Sequence, residues 1–155
     1  HSTSRRQRQM CIRDRSLSTG VQMKGNNTDT APPIGFIGEQ IVSVATVSQP
    51  SSSVENITSI DLTPGIWDIS GIYGMACTGN IAGANIGISF DSASFANVTF
   101  GDNGIQAVTI GTSQSISIPS YRVMVNANTT VYLIHLTSYT GTCNMTGRIS
   151  ATRVG

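Results

Sequence analysis

Short runs in which apolar and polar residues alternate follow one another from Phe36 to the end of the chain, and this period restricts the possible folds most. Trp67, Ile69 and Tyr73, for example, occupy one set of alternate positions, whereas Asp68 belongs to the other set. A period of two residues is that of a β-strand with one buried and one solvated face. The sequence therefore predicts an all-β domain.

Turn residues such as Thr63-Pro64-Gly65 separate the runs, and Ile and Val, whose stiff branched side chains favour pleated surfaces, are plentiful within them. Short strands at this spacing are typical of an antiparallel β-sandwich. The predicted strands cover residues 36–47, 56–62, 66–76, 84–91, 105–110, 114–118, 121–127, 129–138 and 144–153.

The first fifteen residues differ from the remainder. Residues 5–15 back-translate, in frame, to the adapter of a transposase-based sequencing library, so we treat residues 1–15 as a non-native adapter translation from a gene recovered from bulk environmental DNA. Residues 16–35 are polar and end near Pro32-Pro33, which predicts a flexible leader or neck. Residues 36–155 are predicted to form one domain.

Excluding residues 1–15 changes the charge of the chain. Five of the nine basic residues and one of the eight acidic residues lie there, which leaves four bases, seven acids and a formal charge of −3. A negative chain without a basic stripe is not expected to bind nucleic acid. No apolar run reaches the ~18 residues that cross a bilayer, so no membrane insertion is expected either.

One predicted strand is apolar on both faces. In residues 131–136, Val131 and Leu133 share one face, and Tyr132, Ile134 and Leu136 share the other. A sandwich core covers one face only, and large apolar patches are rarely left exposed. We interpret the second face as a subunit interface; the alternative is a central strand that a long loop of the same chain covers.

Titratable residues are too few and too scattered for an evident catalytic group. His135 is the only histidine beyond His1, and its place in the most apolar run favours a hydrogen-bonded structural role over nucleophilic catalysis. On a threefold axis, three copies of it would meet, where pH or a metal would matter. Asp61 and Asp68 flank one turn, where acids commonly anchor the loop; the alternative is a glycosidase pair drawn from these two, Asp91 and Asp102. We predict no catalytic residues, no metal and no cofactor.

Cys77 and Cys143 are the cysteines of residues 16–155. We expect two small buried thiols, with a disulfide as the alternative. Their spacing is not that of a zinc site.

Several blocks of the sequence resemble the C-terminal part of bacteriophage tail-fibre and virion structural proteins. The blocks are GFIGE (35–39), NITSIDLTPGIWDISG (56–71), IPSYRV (118–123), TTVYL (129–133) and GRISATRV (147–154). The chain departs from that family at Phe36, where a tyrosine is usual, and it does not contain the family's upstream fibre-forming part. A more distant architectural likeness is to tumour-necrosis-factor-like and complement-type heads, which are ten-stranded jelly rolls that trimerise through central strands.

The resemblance implies a homotrimeric jelly roll of about 8–10 antiparallel strands that belongs to the phage virion, is assembled in the host cytoplasm and contacts other virion proteins. It also implies a non-catalytic domain that binds a host receptor, a glycan or a protein. The trimer interface would be Tyr132, Ile134 and Leu136. Two alternatives remain: a capsid-decoration or purely structural subunit, and a polysaccharide depolymerase.

Loops at one end of a rigid sandwich commonly carry recognition. Aromatic rings beside amides and hydroxyls suit sugars, which have apolar faces and many hydroxyl groups. The alternative for Phe95 and Phe100 is that they close the end of the core. The receptor-binding residues predicted on this basis are Phe95, Asn97, Phe100, Asp102, Asn103 and Tyr139.

Overall fold

The computed structural model of the chain describes residues 32–95 and 111–155. These residues form strands and turns, with no helix among them. The strands are β1 (Gln40–Val47), β2 (Val54–Leu62), β3 (Gly65–Cys77), β4 (Ile81–Ser89), β5 (Ser113–Val125), β6 (Thr129–Tyr139) and β7 (Cys143–Arg153).

The strands form two antiparallel sheets. A four-stranded sheet has the order β1-β7-β3-β5, and a three-stranded sheet has the order β2-β6-β4. Buried side chains of both sheets make one hydrophobic core, which includes Trp67, Ile69 and Tyr73 from β3 and Leu133 from β6. The prediction of an all-β sandwich is confirmed.

The alternation in the sequence corresponds to the two faces of each strand. Every second residue of β3 from Trp67 to Cys77 is buried, and the residues between them are less buried or exposed. β7 follows the same rule, with Met145, Ile149 and Ala151 in the core. Because the side-chain period of a strand is two, this pattern fixes which face of each strand points inward.

Two predicted strands are one strand in the structure. Residues 114–118 and 121–127 were expected to be separate, but β5 runs through Pro119 without a break. The register with β3 shifts there: Ile69 pairs with Tyr121 and Gly71 with Ile118, so two residues of β5 lie opposite one of β3. β5 is an edge strand, and a bulge at an edge accommodates a proline, which has no N–H to donate.

Other predicted boundaries also change. The run 36–47 was predicted as one strand, but β1 begins at Gln40 because the preceding residues turn: the N–H of Phe36 donates to Pro33 and that of Glu39 donates to Phe36. Gly38 has a φ of 90°, which a glycine adopts without steric cost. The predicted strand 105–110 lies outside the described residues.

A disulfide joins the ends of β3 and β7. Cys77 and Cys143 are directly paired in the ladder, with their Cα atoms 4.0 Å apart, and their sulfurs are bonded. Both residues are buried, as expected, but the preferred interpretation as free thiols was wrong. Sequence spacing alone did not reveal that the two lie opposite each other.

Candidate functional site

The outer face of the β2–β6–β4 sheet contains the residues predicted as a trimer interface. Val131, Leu133 and His135 of β6 point into the core, whereas Tyr132, Ile134 and Leu136 lie on the opposite face. Ile134 is fully buried within the single chain, and Tyr132 and Leu136 are half-buried. β6 is therefore apolar on both faces, and the centre of its outer face is buried within the chain.

The segment that follows β4 covers this centre. The Asn56 amide donates to the Ser92 hydroxyl (2.7 Å) and accepts from the Ala93 N–H (2.7 Å). Asn56 lies on β2 opposite Ile134, and β6 separates β2 from β4. The segment therefore crosses β6 above Ile134. This agrees with the alternative in which a loop of the same chain covers the second face of the strand. A trimer interface at Tyr132, Ile134 and Leu136 stays a prediction.

Few of the residues predicted to bind a receptor lie in the described part of the chain. Asn97, Phe100, Asp102 and Asn103 are outside it. Phe95, half-buried, is the last described residue before that gap. Tyr139 is half-buried against the core, and its hydroxyl donates to the carbonyl of Gln49. Tyr139 pairs with Ile81 at the start of β4, whereas Phe95 follows the end of β4.

His135 belongs to a polar network inside the core. Its Nδ1 lies 3.0 Å from the Thr137 hydroxyl, its Nε2 bonds to the side-chain oxygen of Gln49, and its ring stacks on Tyr73 with centroids 5.6 Å apart. Burial lowers the pKa of His135 to about 4, against a smaller opposing effect of the Glu55 carboxylate. The same burial raises the pKa of Tyr73 to about 12. The expectation of a hydrogen-bonded structural histidine is confirmed, and the ring faces the core rather than a symmetry axis.

Two of the four acids considered for a glycosidase pair, Asp61 and Asp68, lie on opposite sides of the sandwich; of the other two, Asp91 follows β4 and Asp102 is outside the described residues. Asp61 is exposed on β2 and accepts from the Thr130 hydroxyl (2.6 Å). Asp68 is on the outer face of the other sheet, where both of its oxygens accept from Arg122 at 2.8 and 3.0 Å. Those hydrogen bonds hold the pKa of Asp68 below its usual range. These two carboxylates therefore cannot act on one bond. They were expected to anchor the Thr63-Pro64-Gly65 turn, but they bond to side chains of neighbouring strands instead, Asp61 to Thr130 of β6 and Asp68 to Arg122 of β5.

Sequence reasoning missed a buried ion pair. Glu39 and Arg153 are both about 5% exposed, and the Arg153 Nε donates to a Glu39 oxygen at 2.8 Å. Burial by itself would raise the pKa of Glu39, but hydrogen bonds from the Gly35 N–H and from Arg153 outweigh it and lower that pKa. The charge on each partner is therefore matched inside the protein.

Arg153 also holds the start of β3. Its guanidinium donates to the carbonyl of Pro64 (2.7 Å) and to the hydroxyl of Thr63, and it lies 4.3 Å above the centre of the Trp67 ring. A Cβ on Gly65 would lie 2.0 Å from an Arg153 nitrogen, so only glycine fits at that position. We call this group, Glu39, Thr63, Pro64, Gly65, Trp67 and Arg153, the arginine cluster.

The arginine cluster unites three of the sequence blocks that carry the resemblance. Glu39 ends the block 35–39, Trp67 lies in the block 56–71, and Arg153 lies in the block 147–154. The signal available in the sequence was an isolated acid and an isolated arginine, each at the end of an apolar run. Nothing in their separation of more than a hundred residues indicated that they are partners.

A shallow groove of about 530 Å³ lies on the outer face of β3, β5 and β7. Its lining contains amide and hydroxyl groups and no charged side chain. The lining residues are Gly74, Met75, Ala76, Ser113, Gln114, Ser115, Asn144 and Thr146.

Among residues 32–95 and 111–155, no three His, Cys, Asp or Glu side chains lie close enough together to hold a metal ion. Within the same two ranges, no helix has the length and apolar character needed to cross a membrane.

No protein-family model and no curated protein matches this chain. Among solved structures, it is similar to infectious bursal disease virus, Gx strain, with 18% identity and a TM-score of 0.46 over 87% of this chain and 37% of that one. The VP2 subviral particle of the same virus gives 14% identity and a TM-score of 0.46 with the same coverage. The capsid asymmetric unit of cyanophage Pam1 gives 12% and 0.38, over 86% of this chain and 99% of that one. The chain thus spans 37% of the length of the first two structures.

Proposed function

We propose that this chain is a non-catalytic head domain of a phage virion, of the tail-fibre type, which binds a cell-surface receptor as a homotrimer. The observation that carries the virion part of this proposal is the arginine cluster, where three blocks that resemble tail-fibre and virion proteins meet in one buried group. Residues that hold a fold together account for a resemblance spread over the whole domain. The virion role rests on that resemblance.

Strand order supports a jelly roll. In an eight-stranded jelly roll of two four-stranded sheets, seven strands follow the orders β1-β7-β3-β5 and β2-β6-β4, and an eighth, from the chain between β4 and β5, lies beside β4. The predicted run 105–110 occurs at that place in the sequence, outside the described residues. Jelly rolls present loops at the ends of a rigid sandwich, where receptor contact is expected.

A non-catalytic role is supported by the contacts of the titratable groups. His135 bonds to Gln49 and Thr137, Glu39 to Arg153, Asp61 to Thr130 and Asp68 to Arg122. Each of these side chains is held in place by a hydrogen-bond or ion-pair partner within the fold. A general acid or base needs a free approach to a substrate proton, which these contacts oppose.

The trimer is proposed to form through the outer face of the β2–β6–β4 sheet. Tyr132 and Leu136 retain exposed apolar surface on either side of the covered Ile134. We expect Leu136→Lys to give a folded monomer and Met124→Lys, at an exposed position of the other sheet, to leave the trimer intact. Light scattering after size exclusion measures the mass. A stable monomer of the unaltered protein would contradict the trimer.

The receptor is proposed to be a glycan. The uncharged amides and hydroxyls of the groove, and the amides and aromatic rings predicted at 95–103, are groups that bind sugars. A glycan array is expected to give a sugar-dependent signal that Asn103→Ala or Asn144→Ala weakens. The matched control, Asn126→Ala in the exposed turn between β5 and β6, should leave the signal unchanged.

A structural virion subunit without a receptor site is the second candidate, because the arginine cluster explains the resemblance without any ligand. No sugar-dependent signal on the array, together with an intact trimer, would favour it. Release of sugar from bacterial polysaccharides would instead indicate a depolymerase and contradict both.

A further inference from the structure

Among the described edge strands, β1 is the one that pairs with its neighbour without a bulge. The other edge strands, β2, β4 and β5, each have a register shift in their pairing with the inner neighbour. The shift lies between Asn56 and Thr58 in β2 and between Ile81 and Gly83 in β4. In β5 it lies opposite the stretch from Ile69 to Gly71 of β3. Such bulges twist an edge and hinder pairing with another chain. β1 pairs with β7 over all eight residues without a shift.

The composition of β1 leaves this edge open as well. Its sequence, QIVSVATV, contains no charged residue and no proline, which are the usual means of protecting an edge. Val42 is 47% exposed and Val44 61% exposed on its outer face. Long, flat and apolar edge strands are the ones to which an extended chain adds.

The backbone groups of alternate residues point away from the sheet. The Glu39 carbonyl accepts from the Arg153 N–H, so the N–H and C=O groups of Ile41 and Ser43 also point toward β7. Those of Gln40, Val42, Val44 and Thr46 consequently point outward. An extended strand added at this edge would supply hydrogen-bond partners for these groups.

We propose that β1 pairs antiparallel with β1 of a second copy of this chain, about a twofold axis at Ser43. Outward-pointing residues must face one another across such a ladder, which restricts the register to pairs of even-numbered residues. With the axis at Ser43, Val42 lies opposite the partner's Val44, and Val44 lies opposite the partner's Val42. Because the strand is uncharged, no like charges meet in this arrangement.

This contact is separate from the trimer of the proposed function. It uses the edge of the β1-β7-β3-β5 sheet, whereas the trimer uses the outer face of the β2–β6–β4 sheet. A twofold contact alone doubles the mass of the chain, whereas both contacts together give assemblies of six or more chains. The two proposals can therefore fail independently.

The test is a sedimentation series over protein concentration, combined with hydrogen exchange of single amides. We expect a concentration-dependent twofold association, in either the monomer or the trimer, and slower exchange of the Val42 and Val44 amides where it forms. Val44→Glu, at an exposed side chain, should weaken the association about tenfold or more because it puts a charge opposite a valine at two symmetric positions. Met124→Glu on the opposite edge strand is the matched control and should change nothing.

The register has its own test. The double variant Val42→Lys/Val44→Glu places lysine opposite glutamate twice, so it should associate more tightly than either single variant. No twofold species at the highest concentration would overturn the proposal, as would an equal loss in Met124→Glu or a double variant no better than the singles. Protection of the Val42 and Val44 amides in a dilute monomer would mean that the same chain covers β1, which also overturns it.

Discussion

Arg153 contacts two separated parts of the chain through one guanidinium group: the carboxylate of Glu39, and the stretch that holds the turn at Thr63 and Pro64 and the ring of Trp67. A charge this deeply buried is tolerated because each of the three guanidinium nitrogens donates to an acceptor, one of which is a carboxylate. His135 is held in the core on the same principle, by Gln49 and Thr137. At the scale of residues, buried polar groups determine how segments distant in sequence meet.

Arg153→Met should lower the free energy of unfolding by about 3–5 kcal/mol, because it leaves the Glu39 carboxylate buried without its partner. The double variant Glu39→Gln/Arg153→Met should lose less than the sum of the two single variants. Urea unfolding followed by fluorescence measures both. Arg122→Met, which breaks the solvent-exposed pair with Asp68, is the control and should change the midpoint little. Equal losses in Arg122→Met and Arg153→Met would contradict this account.

Stability should fall in mild acid because of His135. The pKa of this residue is about 4 in the folded protein and 6.5 in its ordinary state, so the unfolded chain binds the proton first as the pH falls. The contribution is complete above pH 6.5 and is lost between about 6.5 and 4, which amounts to roughly 2 kcal/mol between pH 7.5 and 5 and about 3 kcal/mol in all. Proton NMR of the His135 ring gives the pKa directly. His135→Gln should remove the part of the pH dependence above pH 5, and a ring titrating near 6.5 would contradict the prediction.

At the scale of strands, the residue period was enough to predict most of the fold. β2, β3, β4, β6 and β7 lie close to their predicted ranges, because the apolar runs and the turn residues between them mark where each strand begins and ends. The bulge at Pro119 was not predictable, since it depends on β5 being an edge strand. A covering loop over the second face of β6 was the alternative, and the sequence could not decide for it, because the cover depends on Asn56 meeting Ser92 and Ala93 across β6.

The candidate site was less predictable than the fold. The burial of His135 followed from the apolar run around it, whereas the pairing of Glu39 with Arg153 depends on which strands become neighbours. Long-range pairing is set by the packing of both sheets rather than by any local pattern. Of the predicted receptor residues, Phe95 and Tyr139 lie in the described part. Phe95 follows the end of β4, whereas Tyr139 of β6 pairs with Ile81 at the start of β4.

Gly147 is the point where the two sheets come closest at β7. A Cβ at this position would lie 2.6 Å from both the Ile57 and the Leu133 side chains. Gly147→Ala should therefore overpack the core and lower the stability by about 1–3 kcal/mol. Gly83→Ala on β4, where a Cβ meets nothing within 4 Å, is the matched control and should be neutral or stabilising. Thermal unfolding of both variants measures the change in stability. An equal loss of stability in the two variants would contradict the close contact at Gly147.

At the scale of the whole molecule, the Cys77–Cys143 disulfide closes a large part of the chain into one loop. The two residues are 66 positions apart, so β4, β5 and β6 lie within the loop. Such a closure restricts the unfolded chain far more than the folded one.

Reduction of this disulfide should lower the free energy of unfolding by about 4 kcal/mol by the loop-entropy argument. Denaturation with and without dithiothreitol measures the loss, in a Cys11→Ser background that prevents exchange with the third cysteine. The double variant Cys77→Ala/Cys143→Ala is the control, and reductant should have no effect on it. A reductant effect that persists in that variant would contradict the assignment.

Among the described strands, the regular edge of β1 also determines how far a sheet can grow by strand addition. Once β1 has paired with its twin, the outermost strands of the joined sheet are the two copies of β5, each with the kink at Pro119. Pairing of the proposed kind would therefore stop this sheet at two copies and would not extend it into a fibril.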